Sequence, residues 1–362
     1  MSSSILTRQP GKGLFTILTI IWTPLKLAFL FLYYLPRSLR EHPQWTYHQA
    51  LGRSVVKMLL VYASAVRFRT QKNLEPGADK ERFITMEAAE PKAYRDIIDD
   101  SKVRPGTIGG MWYPKLYPEG DGNLVVLHFH GGAYVLGGCR PKEGGWGPDM
   151  LAKCLAGYSL CPQYRLARDQ KTCFPAAIQD GVTAYQYLLS KGVSASNIVL
   201  SGDSAGGNLA ITLLRYLAEH EGGMSLPRAV FLWSPWLDMG TDISTLEKKS
   251  NFSTDYLPTS LVRWATEVYP GRVSLRHPYL SPLGNEFVTK VPIFLHTCTA
   301  ELLHDDHMKF AKSMKEIGNR LKLFVTENAP HDIFAGGPIL GFAKEAVIAM
   351  KAASAFLQEM TS

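Results

Sequence analysis

Asn197-Ile198-Val199-Leu200-Ser201-Gly202-Asp203-Ser204-Ala205-Gly206-Gly207-Asn208 carries more information about this chain's architecture than any other stretch. Its first five residues form a short apolar run suited to a buried strand. From Asn208 onward, Leu209, Leu213, Leu214 and Leu217 give the apolar density and length of a packed helix ending near Glu219. The residues between them read as a strand-to-helix turn of the G-x-S-x-G type, which exposes a serine hydroxyl at a helix N-terminus. Glycines flank Ser204 because side chains there would collide with the neighbouring strand and helix. Ser204 is the candidate nucleophile.

Glycine and serine are common, so the pattern takes its weight from its setting. His128-Phe129-His130-Gly131-Gly132-Ala133-Tyr134 follows another buried-strand run, Leu124 to Leu127. A Gly-Gly pair after a strand lets backbone N–H groups converge on one point, as an oxyanion hole requires. Ala329-Pro330-His331-Asp332 follows a strand-like run at 321–326 and precedes a glycine-rich loop. The run at 291–298 reads as one more strand, with Glu301 just past its end. Nucleophile, acid and base thus follow in the order Ser204, Glu301, His331, the chain order of an α/β-hydrolase.

Together with Tyr164-Arg165-Leu166-Ala167 and Phe174-Pro175-Ala176-Ala177, these motifs resemble the hormone-sensitive-lipase family of α/β-hydrolases. Within it the likeness is to arylacetamide-deacetylase and steryl-acetyl-hydrolase-like esterases and to fungal esterases of secondary metabolism. The motifs run from about Leu124 to Gly337. The resemblance implies a serine esterase acting on an acetyl or short acyl ester of an apolar alcohol, such as a sterol or secondary metabolite. It further implies an oxyanion hole from Gly131 and Gly132 beside the Ala205 N–H that the elbow itself supplies, and a helical cap over the catalytic face.

Length and composition fit. A chain of 362 residues, 46% of them hydrophobic, can bury one large core with room for a cap. Alternating apolar runs and amphipathic stretches indicate a mostly parallel eight-stranded sheet with helices on both faces. The expected strands are 83–87, 107–113, 124–130, 157–162, 197–201, 228–233, 291–298 and 321–326; the helices between them are 148–155, 176–191, 205–221, 306–317 and 342–359. Residues 101–362 form the catalytic domain, interrupted by a cap insertion at about 236–288 that holds a helix at 259–269. Residues 37–100 supply the other cap helices, with helical spacing at Leu51, Val55, Met58, Leu59 and Tyr62. Trp236, Tyr256, Trp264 and Tyr269 carry no assigned substrate role, since single aromatics at such spacing usually belong to a core. The net charge of +7 is dispersed along the chain, which gives nucleic-acid binding no support.

Residues 1–36 are read as an apolar membrane-anchor segment. From Leu14 to Leu35 there is one charge, Lys26, over about the length a helix needs to cross a bilayer. Trp22 and Tyr33-Tyr34 suit an interface, and Pro24 argues for a kinked or oblique helix. The segment lacks a small-x-small cleavage site, against a signal peptide; the competing reading is an apolar helix packed on the protein's own cap. Endoplasmic-reticulum membrane is the expected location, and a chain beginning near Arg37 is expected to be soluble. Basic residues on both flanks (Arg8 and Lys12; Arg37 and Arg40) leave orientation open. Five cysteines with no C-x-x-C pair imply neither zinc nor a disulfide framework, and Cys161 and Cys298 read as core residues. Asn251-Phe252-Ser253 is a glycosylation sequon.

The roles follow from chemistry. A serine needs a base within hydrogen-bond reach, and His331 stands where that base belongs. His304 and His307 sit too close behind Glu301 to occupy a separate loop, His128 and His130 precede the elbow, and His130 is expected to brace the Gly-Gly turn. Glu301-Leu302-Leu303-His304-Asp305 matches the family's Asp-x-Leu-x-Asp with glutamate in the first place. Asp305 and Asp306 are rivals as the acid, but an aspartate where a helix begins is explained as an N-cap. Asp203 is expected to be a structural hydrogen-bonding residue. No metal or organic cofactor is implied. Two other readings share these residues: a ligand receptor that has lost catalysis, which the retention of His331 disfavours, and an acyltransferase with an alcohol in place of water.

Overall fold

The computed structural model describes residues 5–70, 73–220 and 222–360. Its centre is an eight-stranded sheet: β1 Phe83–Met86, β2 Ile108–Tyr113, β3 Val125–Phe129, β4 Tyr158–Gln163, β5 Ile198–Asp203, β6 Ala229–Trp233, β7 Ile293–Cys298 and β8 Leu321–Thr326. The spatial order is β1-β2-β4-β3-β5-β6-β7-β8. β2 runs antiparallel to β1 and β4, and every other pair is parallel. Each strand expected from the sequence is present, with ends shifted by at most two residues.

The parallel strands read as unbroken apolar runs because both of their faces are buried. Alternate side chains go to different cores. Val125, Leu127 and Phe129 of β3 join Val230 and Leu232 of β6 in the larger one. Val126, Phe231 and Trp233 point the other way, into a second core.

Helices of eight or more residues are numbered α1 to α9: Gly11–Tyr33, Tyr47–Ala65, Trp146–Cys154, Ala176–Ser190, Ala205–Glu219, Thr259–Val268, His304–Glu316, Ile333–Leu340 and Ala343–Gln358. α4, α5 and α7 cover the first core, α3 and α9 the second. The expected helix at 205–221 ends at Glu219, and Glu221 lies outside the described residues.

Two local expectations need correction. The glycine-rich stretch after His331 is a helix, α8, not a loop. Asp332 stands at its N-cap with φ of 48°, and its carboxylate accepts the Ala335 N–H at 3.1 Å, which starts the helix despite two glycines and a proline. α7 begins at His304 rather than at Asp306, so Asp305 and Asp306 lie in its first turn and neither is the N-cap, which is Leu303.

α1 is the expected apolar N-terminal helix, long enough to cross a membrane by length and composition, with only 6% of its most apolar window buried. It does not stand free of the body. Thr16 Oγ1 lies 3.0 Å from the Tyr62 hydroxyl of α2, and the Phe15 and Tyr62 rings stack. Leu30 and Tyr34 at its C-terminal end are buried with Trp45 and Ala50, and the Tyr34 hydroxyl donates to Glu41 Oε1 at 2.5 Å.

None of the five cysteines is in a disulfide, and Cys161 and Cys298 lie in cores as expected. The Asn251 side-chain amide donates to the carbonyls of Thr299 and Glu301, each at 3.0 Å. The sequon asparagine is thereby tied into the loop after β7.

Candidate active site

Ser204 sits between β5 and α5 with φ of 51° and ψ of −115°, a conformation that non-glycine residues rarely hold unless the surroundings impose it. The surroundings here leave no room for side chains. A Cβ at Gly202 would strike the Gly206 carbonyl, and one at Gly206 the Phe129 carbonyl of β3. The turn is therefore pinned against two strands, with the half-buried Ser204 hydroxyl at the start of α5.

The three residues singled out by chain order come together. His331 Nε2 lies 2.9 Å from Ser204 Oγ, and His331 Nδ1 lies 2.8 Å from Glu301 Oε2. A carboxylate only accepts, so Nδ1 carries a proton, and in the neutral ring Nε2 is then the lone pair that faces the serine. Glu301 is fully buried, and its other oxygen accepts from the Cys298 N–H at 2.7 Å, the Ser234 hydroxyl at 3.0 Å and the Thr297 hydroxyl at 3.1 Å. Burial alone would raise its pKa, but His307 and His331 more than offset this and hold it well below the usual carboxylate range. For His331 the signs reverse. Burial lowers its pKa, while the hydrogen bond and charge of Glu301, followed by the charges of Asp255 and Asp332, carry it above the ordinary imidazole value.

Asp305 is exposed, and Asp306 pairs with Lys249 at 3.4 Å. Neither is hydrogen-bonded to His331 among the described residues.

The structure divides the expected oxyanion donors. The Gly131 N–H donates to Asp203 Oδ2 at 2.7 Å, so it is spent and cannot also face a substrate. The N–H groups of Gly132, Ala133 and Ala205 make no hydrogen bond among the described residues. Ala133 is the candidate donor that sequence reasoning missed. Its φ of 54°, after 110° at Gly132, turns this loop in a way a Gly-Gly pattern does not reveal.

Asp203 is a structural anchor, as expected, within a buried relay. Trp233 Nε1–H donates to Ser201 Oγ at 3.0 Å, Ser201 faces His128 Nδ1 at 3.0 Å, and His128 Nε2 faces Asp203 Oδ1 at 3.0 Å. Burial pushes the His128 pKa down to about 3, so the ring is a neutral donor to that carboxylate. Burial pushes the Asp203 pKa up to about 6, and pushes that of Asp332 well up, with the Asp203 charge adding to the second shift. The two carboxyls share a hydrogen bond, which ties the end of the elbow strand to the residue after His331.

His130 braces the glycine turn, with Nδ1 2.7 Å from the Gly131 carbonyl and its ring stacked on Tyr164 at 4.3 Å. The Tyr164 hydroxyl donates to the His130 carbonyl at 2.7 Å, and the Ala167 N–H to the Tyr134 carbonyl at 2.8 Å. The Tyr164-Arg165-Leu166-Ala167 motif thus holds the Gly131-Gly132 loop from outside.

A narrow cavity of about 30 Å³ opens beside Ser204 and Ala133, walled by Trp236, Leu257, Leu261 and Leu302 among others. Its walls come from the 236–262 and 302–306 stretches. The described residues of 37–80 contribute none of them but pack on the insertion, with Ser64 Oγ of α2 2.6 Å from Ser260 Oγ of α6. They act from behind: Trp45 Nε1–H donates to the Asn328 carbonyl at 2.5 Å, and Arg53 Nη2 to the Asp255 carbonyl at 3.0 Å. Trp236 lines the cavity and Tyr256 stands edge-on to His331 at 5.8 Å, while Trp264 and Tyr269 belong to the larger core. Among the described residues, no group of three or more His, Cys, Asp or Glu is arranged to hold a metal ion.

A family model described as the alpha/beta hydrolase fold matches residues 126–335. An acetyl-hydrolase of Streptomyces hygroscopicus is 32% identical over 209 residues, which is 56% of this chain and 67% of the relative. An ethyl acetate hydrolase of Pseudomonas putida is 27% identical over 82% of this chain and 92% of its own length. A crystal structure of an esterase from the bacterial hormone-sensitive lipase family superposes with a TM-score of 0.62 at 24% identity, covering 92% of this chain and 97% of that one. The elbow, the sheet order and these relatives agree: the chain belongs to the α/β-hydrolase fold family, is hormone-sensitive-lipase-like within it, and is a carboxylic ester hydrolase.

Proposed function

We propose that Ser204, His331 and Glu301 are the catalytic triad of a two-step acyl transfer from an acetyl or short acyl ester to water. The observation that carries this reading is the unbroken chain of contacts at 2.9 and 2.8 Å from Ser204 through His331 to Glu301. In the first step Ser204 Oγ bonds to the ester carbonyl carbon while His331 Nε2 takes the hydroxyl proton. The N–H groups of Gly132, Ala133 and Ala205 receive the developing oxyanion, and Ala205 adds the positive end of α5. His331 returns the proton to the departing alcohol oxygen. Water then repeats the attack on the acyl-enzyme and releases the acid. Glu301 orients the ring and stabilises the imidazolium.

The small cavity favours a short acyl group, in keeping with the activities for which the Streptomyces and Pseudomonas relatives are named. The alcohol is apolar, such as a sterol or secondary metabolite, delivered from a membrane. A series of p-nitrophenyl esters tests this. Hydrolysis is expected to fall steeply beyond butyrate, with a fluorophosphonate probe labelling Ser204. Fastest turnover on long acyl chains, or no labelling at Ser204, would overturn the assignment.

α1 anchors the protein to the endoplasmic-reticulum membrane as a monotopic helix lying in the interface. The Thr16–Tyr62 contact and the Phe15–Tyr62 stack favour this over a span, because a helix held along α2 cannot leave the body to cross a bilayer alone. Full-length protein is expected to sediment with microsomes and resist carbonate extraction. A chain beginning at Ala28 keeps Leu30 and Tyr34 and is expected to be soluble and active. One beginning at Arg37 loses both, and burying each such side chain is worth about 1.5–3 kcal/mol, so it is expected to be less stable. Full-length protein in the soluble fraction, together with an aggregating Ala28 chain, would show that α1 is a packed core helix instead.

A further inference from the structure

A buried imidazole that the acyl-transfer chemistry does not use stands behind Glu301. His307, in the first turn of α7, is fully buried. Its Nε2 lies 2.7 Å from the Pro235 carbonyl oxygen. A carbonyl only accepts, so Nε2 carries a proton. Its Nδ1 lies 2.8 Å from Thr297 Oγ1 and 3.5 Å from Glu301 Oε1.

Thr297 has one hydroxyl proton to place. Its oxygen is 3.1 Å from Glu301 Oε1, and a buried carboxylate is a stronger acceptor than a neutral ring nitrogen. With that proton directed to Glu301, the Thr297 oxygen offers His307 only lone pairs. The 2.8 Å contact then requires a proton on Nδ1 as well. The other arrangement would leave an imidazole lone pair 3.5 Å from a fully buried carboxylate oxygen.

We propose that His307 is a positioning residue: protonated on both ring nitrogens, it is the standing counter-ion of Glu301 and leaves His331 free to rest as the neutral base. The inference rests on the triad reading given above. A buried carboxylate without a cation is costly. Without a second cation the Glu301 charge would raise the pKa of His331 further, and an imidazolium cannot take a proton from Ser204. Two imidazoles on opposite oxygens divide the work: His307 neutralises from the Oε1 side, and His331 titrates on the Oε2 side. The other charged groups facing His331 are Asp255 and Asp332. On the His307 side stand His296, which is itself influenced by His307, and His304, whose Nδ1 is 3.1 Å from Thr297 Oγ1. Asp306 is paired outward with Lys249.

Two measurements test the proposal. The first is nitrogen NMR of the full-length protein labelled in histidine, at about pH 8, above the ordinary imidazole range. His307 is expected to show two protonated ring nitrogens; one bare nitrogen overturns the proposal. The second is the pH profile of kcat/KM on p-nitrophenyl acetate. In His307→Gln, whose amide can still donate to the Pro235 carbonyl, the acid limb is expected to move up by about one pH unit or more. Thr297→Val is expected to move it the same way by less. A merely structural role would lower activity or stability at every pH without moving the limb, and a stationary limb in folded His307→Gln overturns the proposal. Because the NMR readout needs neither variant nor turnover, it decides the matter if His307→Gln fails to fold. It also separates this proposal from the triad, which stands or falls on Ser204→Ala.

Discussion

Ser204→Ala and His331→Ala are each expected to lower turnover on short esters by on the order of 10⁶, with the protein still folded. The reason is geometric. Ser204 Oγ and His331 Nε2, 2.9 Å apart, supply the bond to carbon and the destination of the proton, and no other described side chain is hydrogen-bonded to the serine hydroxyl. His128 in the preceding motif has both ring nitrogens committed to Ser201 and Asp203, so it cannot substitute. Stability should change little for Ser204→Ala, since the hydroxyl is half-buried and bonded only to His331 among the described residues. Active-site titration of each purified variant, with circular dichroism as the folding control, makes the comparison. Near-wild-type hydrolysis by either folded variant would sink the triad and return attention to a different nucleophile.

Glu301→Ala is expected to cost roughly 10⁴ in turnover, whereas Asp305→Ala should stay close to wild type. Glu301 accepts four hydrogen bonds that arrive from β7, the loop after β6 and the histidine loop. Removing it frees the imidazole to rotate and leaves those buried donors without an acceptor, so stability falls together with rate. Turnover must therefore be measured per folded molecule. Asp305 is exposed in the first turn of α7, where it contributes at most the modest attraction of a carboxylate to a helix N-terminus, about 0.3–1 kcal/mol. A folded Asp305→Ala variant slower than folded Glu301→Ala would transfer the role of acid to the helix.

The features legible in the amino-acid sequence share a local cause. The eight strands announce themselves by apolar runs because the sheet is covered on both faces. The elbow does so because only glycines fit beside Ser204. His331 and Glu301 are legible for a related reason: each follows a strand at the carboxyl edge of the sheet, and chain order suggests their parts.

Other features leave no such trace. α8 looks like a loop because two glycines and a proline weigh against a helix, yet the Asp332 cap and packing beside α2 decide otherwise. Gly131 and Gly132 look equivalent in a string of letters. They differ only because Asp203, 72 residues away in the chain, claims the N–H of the first. His307 stands too near Glu301 in the chain to be the base, and that same nearness, once α7 turns the ring inward, makes it a partner of the acid.

Sequence alone is thus enough for the sheet, the elbow, the candidates for nucleophile, acid and base, and an apolar helix near the N-terminus. These depend on periodicity, on steric demands at single positions and on the order of loops after strands. Four things required the folded chain: which N–H groups remain free, which residues wall the cavity beside Ser204, that residues 37–80 support the histidine loop from behind, and that α1 lies against α2. Each of those is a contact between segments far apart in the chain, and a donor or a side-chain face is spent or left free only when its distant partner arrives.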